Sequence, residues 1–218
     1  HLLQLIWNQR KQNAWLWAEL LLVSVFLWFL VDYLYVMGRT YTAPLGFDIR
    51  HTYSIVISSL SERSPDYIPK EKRERPDGVH LLTALDRIRT YPGVESACLT
   101  DGGMPYYMGS RNLVWRIDTL QVPCRYAFVT PEFFDVFRIY DKDGKTASLK
   151  RAIEDNNSIV ISADVETMNP GLSLLGQKAY RGNVTDEIEE TIRGISVPIR
   201  RHEYTKACLL YTSDAADE

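Results

Sequence analysis

The segment Ala14–Met37, AWLWAELLLVSVFLWFLVDYLYVM, constrains this chain more than any other feature. Its 24 residues carry two charges, Glu19 and Asp32. At about 1.5 Å per residue such a helix reaches roughly 36 Å, longer than a bilayer core of about 30 Å. The stretch Leu20–Val31 is apolar except for Ser24, whose hydroxyl can donate to a carbonyl one turn back. A core helix of a water-soluble domain is shorter and keeps a polar stripe, which this stretch lacks. A cleaved leader has a shorter apolar run and a small-residue cleavage site, and Val36-Met37-Gly38-Arg39 does not supply one. Residues 14–37 therefore read as a transmembrane helix.

Trp15, Trp17, Trp28, Tyr33 and Tyr35 lie mostly toward the two ends, as aromatic belts at the water interface do. Glu19 and Asp32 stand about 20 Å apart along the axis, too close for both to escape the hydrocarbon easily. Either they mark ragged helix ends, or they face partner helices in a multi-span bundle. Arg10 and Lys11 before the span nearly balance Arg39 and Arg50 after it, so local charge does not orient the helix. In residues 1–13, HLLQLIWNQRKQN, Leu2, Leu3, Leu5 and Ile6 can share a face opposite Gln4, Asn8 and Gln9. This fits an amphipathic leader in the membrane interface, or an extension of the same helix.

The remainder is long enough to bury a core. Net charge is −3 without a basic stripe, which argues against a nucleic-acid partner. Cys98 and Cys124 fall in apolar, strand-like runs; they could pair in an oxidising compartment or remain buried thiols. His51, His80 and His202 are scattered and no Cys-x-x-Cys exists, so no zinc site is expected.

Breakers Pro44 and Gly46 fall in a connector over 39–48, after which TYSIVISSL (52–60) predicts a strand. Residues 61–77 are polar; their run KEKRER (70–75) is a solvated loop or helix start rather than a phosphate patch. An amphipathic helix is expected over 79–91, with Asp77 as N-cap and Pro92-Gly93 as stop. Strands are expected at 94–100, 111–119 and 122–130, the last two joined around Leu120-Gln121. PEFFDVF (131–137) predicts a short helix capped by Thr130. Asp141-Lys142-Asp143-Gly144 is a turn lacking the later ligands of a calcium loop. Then come a helix over 147–154, a strand at 157–162, a helix over 163–169, a strand pair after Leu174-Leu175-Gly176-Gln177-Lys178, and a last strand at 191–198. Without strict alternation of strand and helix, the domain over 38–207 is expected to be α+β.

Residues 208–218, CLLYTSDAADE, resemble a translated sequencing-library adapter. They are set outside the fold as non-native, with the native chain expected to continue differently beyond Ala207. A native acidic tail is the competing reading.

The residues name no catalytic, cofactor-binding or metal-binding site. There is no Gly-x-Ser-x-Gly, no phosphate-cradling glycine loop with lysine, and no His-Glu-x-x-His. Ser64 and Ser162 lack a nearby histidine, and His51 and His80 read as ordinary surface or strand residues. Asn183-Val184-Thr185 matches a glycosylation pattern weakly.

The ordered set of FVTPEFFDVF (128–137), NSIVISA (157–163), LLGQK (174–178) and IRGI (192–195), behind one apolar helix, resembles the first part of a MacB/FtsX-type ABC transporter permease. The polar insert 62–77 departs from that pattern. The resemblance implies a bacterial inner-membrane subunit with N-terminus inside and this domain in the periplasm. It further implies three later spans, a homodimer or heterodimer of permeases, and a cytoplasmic ABC ATPase as partner. The subunit itself would be non-enzymatic and without cofactor, carrying nucleotide-driven motion to the periplasmic side. A different class also fits: the exoplasmic sensor of a receptor such as a histidine kinase, with Arg111, Arg116 and Tyr126 as candidate pocket groups.

Overall fold

The computed structural model describes residues 4, 7, 14–58, 60–69, 72, 76–107, 109, 111–155, 157–181, 188–200, 202–203 and 209–212. Two compact units follow each other, 1–43 and 44–218. The expected leader lies outside the described residues apart from Gln4 and Trp7, which are helical. KEKRER, apart from Lys72, and Asn183-Val184-Thr185 also lie outside them.

The first unit contains a long helix, α1 (Ala14–Thr42), with no buried residue. It runs five residues past the expected end at Met37, through Arg39 and Thr40, where nothing breaks the helical pattern before Pro44. The Ser24 hydroxyl donates to Leu20 O at 2.7 Å, as its position in an apolar stretch requires. The Thr42 hydroxyl does the same to Gly38 O at 2.9 Å.

The second unit is a mixed α/β domain. Its elements are α2 (Asp77–Arg89), β1 (Thr100–Asp101), β2 (Arg111–Ile117), β3 (Leu120–Val129), α3 (Phe133–Val136), α4 (Ala147–Ala152), β4 (Ser158–Ser162), α5 (Asp164–Met168), β5 (Lys178–Arg181), β6 (Ile188–Ser196) and β7 (Leu209–Thr212). The sheet order is β1-β3-β2-β5-β6-β4-β7, and a further β3–β7 pairing closes β2, β3, β7, β4, β6 and β5 into a ring. Pairing is antiparallel except for β4–β6 and β3–β7.

Strand alternation sorts the apolar residues onto the two faces. The inner face gathers Trp115, Ile117, Val122, Cys124, Ile159, Ile161, Ala179 and Ile192, with Val165 and Leu174 packed among them. The outer face of β3 and β4 offers Ala127, Val129 and Val160 to Phe133, Phe134, Phe137, Leu149 and Ile153. All five residues of β4 are buried, because helices cover one side and the ring interior the other. Between Ile159 and Val160 the β4–β6 register shifts by a bulge, so Ile192 faces inward while Gly194 meets the outer-face helices.

Several local expectations are corrected. Residues 52–58 and 60 form no strand, since no strand among the described residues pairs with them; Tyr53 and Val56 are each 85% exposed. Of 94–100 only Thr100 enters a strand, because β2 occupies the rest of that β3 edge. The Thr130 hydroxyl does not cap a helix: it accepts from Leu99 N–H at 3.1 Å, extending the β1–β3 contact, and α3 starts at Phe133. Asp77 opens α2 instead of capping it, with Pro76 in the cap position. The β2–β3 hairpin turns at Asp118-Thr119, where Asp118 takes φ 53°, a left-handed conformation aspartate tolerates. β6 begins three residues earlier than expected, drawn out by its pairing with β5. Residues 209–212, set outside the fold on sequence grounds, form β7.

Candidate functional site

Two places in the second unit concentrate polar chemistry. The first is the end of the ring where β2 begins and β5 ends. Arg111 and Tyr126 are cross-strand partners. The Arg111 guanidinium lies 5.4 Å from the centre of the Phe128 ring, and that of Arg181 lies 5.5 Å from the same ring. Arg111 pairs with Asp101 at 2.6 Å. Arg181 Nε stands 3.6 Å from Glu190 Oε1, an ion-pair distance longer than a hydrogen bond, and Glu190 is only 1% exposed. An aromatic face attracts both cations, and burial strengthens that attraction. This arrangement fixes charge at the ring's end without placing a nucleophile beside a base.

Of the three sensor candidates, Arg111 and Tyr126 therefore come together and Arg116 does not. Arg111 and Arg116 are five residues apart on one strand, which sends them to opposite faces. Arg116 instead lies over Tyr180 at 4.8 Å, and the Tyr180 hydroxyl donates to Glu189 at 3.1 Å. Sequence reasoning missed Arg181, Glu190 and Phe128. Glu190 was legible only in part: it sits two residues before Ile192, but the expected strand started after it.

The second place is the joint where the domain begins, Pro44–Arg50. Gly46 takes φ 82°, and a Cβ there would lie 2.1 Å from Pro198 O, so only glycine lets the two backbones meet. Arg200 N–H donates to Leu45 O at 2.9 Å, and Asp48 N–H to Phe137 O at 2.9 Å. Phe47 packs on the outer-face core. Asp48 accepts from Arg50 Nη2 at 2.7 Å and pairs with Arg138 at 3.2 Å. The Arg50 hydrogen bonds hold its carboxyl well below the usual carboxylate range. The first residues of this unit are thus pinned to both the α3 end and the segment after β6.

Among the described residues no group of three or more His, Cys, Asp or Glu could hold a metal ion. Asp141 spends its carboxylate on its own turn, accepting from Asp143 and Lys145 N–H at 2.9 and 2.8 Å and from the Ser148 hydroxyl. His51 sits in a turn at φ 61°. Cys98 and Cys124 lie in different surroundings, Cys98 against the outer-face core and Cys124 within the ring. Burial, with the Glu132 carboxylate nearby, pushes the Cys98 thiol up to about 12, which keeps it protonated and unreactive at neutral pH.

In α1, Glu19 and Asp32 are both exposed. Their 13-residue spacing turns them roughly 140° apart around the axis, so one partner surface cannot shelter both.

No family model and no curated protein matches this sequence. Solved structures resemble part of it, among them the following. A domain of a protein described as a permease from Porphyromonas gingivalis is 20% identical, with a TM-score of 0.44 over 60% of this chain and 50% of that one. The periplasmic region of MacB from Actinobacillus actinomycetemcomitans is 10% identical, with a TM-score of 0.44 over 62% and 55%. The extracellular domain of the noncanonic ABC-type transporter YknZ from Gram-positive bacteria is 12% identical, with a TM-score of 0.41 over 60% and 60%. The chain spans only about half to three-fifths of those structures. At these scores none of the likenesses carries an argument about what this chain does; its architecture rests on its own strand order and core.

Proposed function

We propose that this chain is the membrane-proximal part of an ABC-type permease subunit, held in a bacterial inner membrane by α1 with its α+β domain on the periplasmic side. One observation carries the reading: α1 spans 29 residues, about 44 Å of mostly apolar helix, and buries none of them against protein. Exposed to water, that surface would be strongly unfavourable at about 25 cal/mol per Å²; lipid removes the penalty.

The sequence motifs that resemble the MacB/FtsX type occupy structurally decisive positions, which supports the same reading. Phe133 and Phe134 are fully buried, the SIVIS strand is buried throughout, and Gly176 takes φ 82°. The start of the second unit suits a mechanical role: Leu45 and Asp48 are held by backbone hydrogen bonds to Arg200 and Phe137, so this unit has a fixed entry segment. In this reading a cytoplasmic ABC ATPase supplies the energy, a second permease subunit completes the complex, and the domain moves as a packed body. The sensor reading loses support, because only two of its three candidate groups share a face.

Sequencing the gene through and downstream of this region tests the proposal. Three further apolar segments of about 20 residues are expected. One segment followed by a signalling module would establish the sensor instead.

A further inference from the structure

We propose that the uncharged run 52–58, with Tyr106 and Tyr107 beside it, is a second membrane contact of this chain: a strip that lies in the headgroup layer of the bilayer crossed by α1. The inference rests on the reading of α1 as a membrane span and extends it. The run TYSIVIS starts ten residues past Thr42, where α1 ends. It contains the same five residues, SIVIS, as β4. In β4 all five are buried. In 54–58 all five are exposed, Val56 at 85% and Ile55 at 62%, and Tyr53 before them is 85% exposed. Exposure falls on both alternating faces of the run, so the domain shelters neither.

Contacts within the unit set this strip beside its entry segment. Thr52 N–H donates to Ile49 O at 3.0 Å, and the Ser54 hydroxyl donates to Met104 Sδ at 3.5 Å. Met104 and Phe47 both pack on the outer-face core, and Phe47 meets the Tyr106 ring edge to face at 5.9 Å. Tyr107 N–H donates to Met104 O at 3.2 Å. Tyr106 and Tyr107 are each more than two-fifths exposed. Three exposed tyrosines and an apolar run therefore gather where the chain enters the domain. Along the chain this surface continues from an apolar helix that lipid suits and water does not. Tyrosine, with an apolar ring and a polar tip, is at home at headgroup level. The main chain of the run, which pairs with no strand among the described residues, sets the depth. At the interface its amides keep water as a partner, whereas the hydrocarbon would leave them unsatisfied.

Fluorescence quenching on the full chain, reconstituted into vesicles of phosphatidylethanolamine and phosphatidylglycerol, tests this. An environment-sensitive dye is attached at Val56→Cys, at Phe26→Cys in α1, or at Asp143→Cys on the exposed turn, each with Cys208 changed to serine. A lipid with a nitroxide near its glycerol end should quench the dye at 56 at least about twofold more than the dye at 143. Iodide in the water should quench 143 more than 56. Ile55→Asp beside the dye should lower the lipid quenching at 56 by about half or more, because a carboxylate resists leaving water. No change there would mean that the dye itself drives the contact, and would overturn the proposal. A dye at 56 open to iodide and untouched by the nitroxide lipid would overturn it too. So would one shielded from both quenchers, the result of cover by a protein partner. The dye at 26 separates the strip from the span. If a nitroxide deep in the acyl chain quenches 26 while lipid never quenches 56, α1 crosses the bilayer and the strip does not touch it. If neither dye meets lipid, the span reading falls and the proposal falls with it.

Discussion

At Gly194 a single methyl group decides how closely β6 approaches the helices. An added Cβ would lie 2.8 Å from Val160 Cγ2 and 3.0 Å from Ala152 Cβ, both in the packed outer-face core. Gly194→Ala is expected to destabilise the domain by about 1–3 kcal/mol, seen as a lower denaturant midpoint with an unchanged slope. A second residue-scale prediction concerns acid. Burial pushes the Asp135 carboxyl up, but hydrogen bonds from Lys150, at 2.5 Å, and Thr146 outweigh it and lower it below its ordinary value. Hydrogen bonds from Lys142 and from Ser148 likewise lower Glu166 and Asp141. Groups depressed in the folded state add stability above their unfolded pKa, near 4, and lose it as pH falls through the folded value. Stability from these three should hold from pH 7 to about 5 and decline below about 4. Asp135→Asn should lower stability at neutral pH and make the acid decline shallower, as measured by urea midpoints between about pH 6 and 3.

At the scale of elements, the ion pair Arg181–Glu190 joins the hairpin β5–β6 within the ring. Removing one partner leaves the other charge largely buried. Glu190→Leu alone is expected to cost about 3–5 kcal/mol, less to the extent that Arg181, 14% exposed, reaches water. Arg181→Met together with Glu190→Leu should recover most of that loss. A double mutant as unstable as the single would show that the charges, rather than their mismatch, hold the hairpin.

The same elements show what the sequence makes legible. Ser158–Ser162 reads as a fully buried strand because SIVIS has no polar alternation to spend on solvent. The β2–β3 hairpin and the paired phenylalanines of α3 are legible for similar local reasons. What local pattern misses is set by partners. TYSIVIS has the composition of a strand, yet among the described residues no strand pairs with it. Ile188-Glu189-Glu190 looks polar, yet pairing with β5 extends the strand through it and carries Glu190 inside. Thr130 looks like a cap, yet Leu99 offers its hydroxyl another donor. The polar cluster at the ring's end was legible only through Arg111 and Tyr126, since bringing Arg181 and Phe128 together requires ring closure.

For the whole molecule, α1 is the element that decides where the chain resides. If it crosses lipid, Phe26→Arg places a charge near mid-bilayer and should cost about 2.5–3.5 kcal/mol of insertion free energy, read as a fall in the alkali-resistant membrane fraction. Glu19→Gln and Asp32→Asn should leave that fraction unchanged if the charges reach the interface, and should weaken subunit assembly if they face partner helices.

Topology is tested most directly with a thiol on the exposed Asp141–Gly144 turn. Asp143→Cys, in a background with Cys208 changed to serine, would be treated with a membrane-impermeant maleimide in intact spheroplasts. Cys98 and Cys124, largely withdrawn from solvent, provide little background. The expected result is full labelling before lysis. Labelling that appears only after the cells are broken would put the domain on the cytoplasmic side and contradict the account.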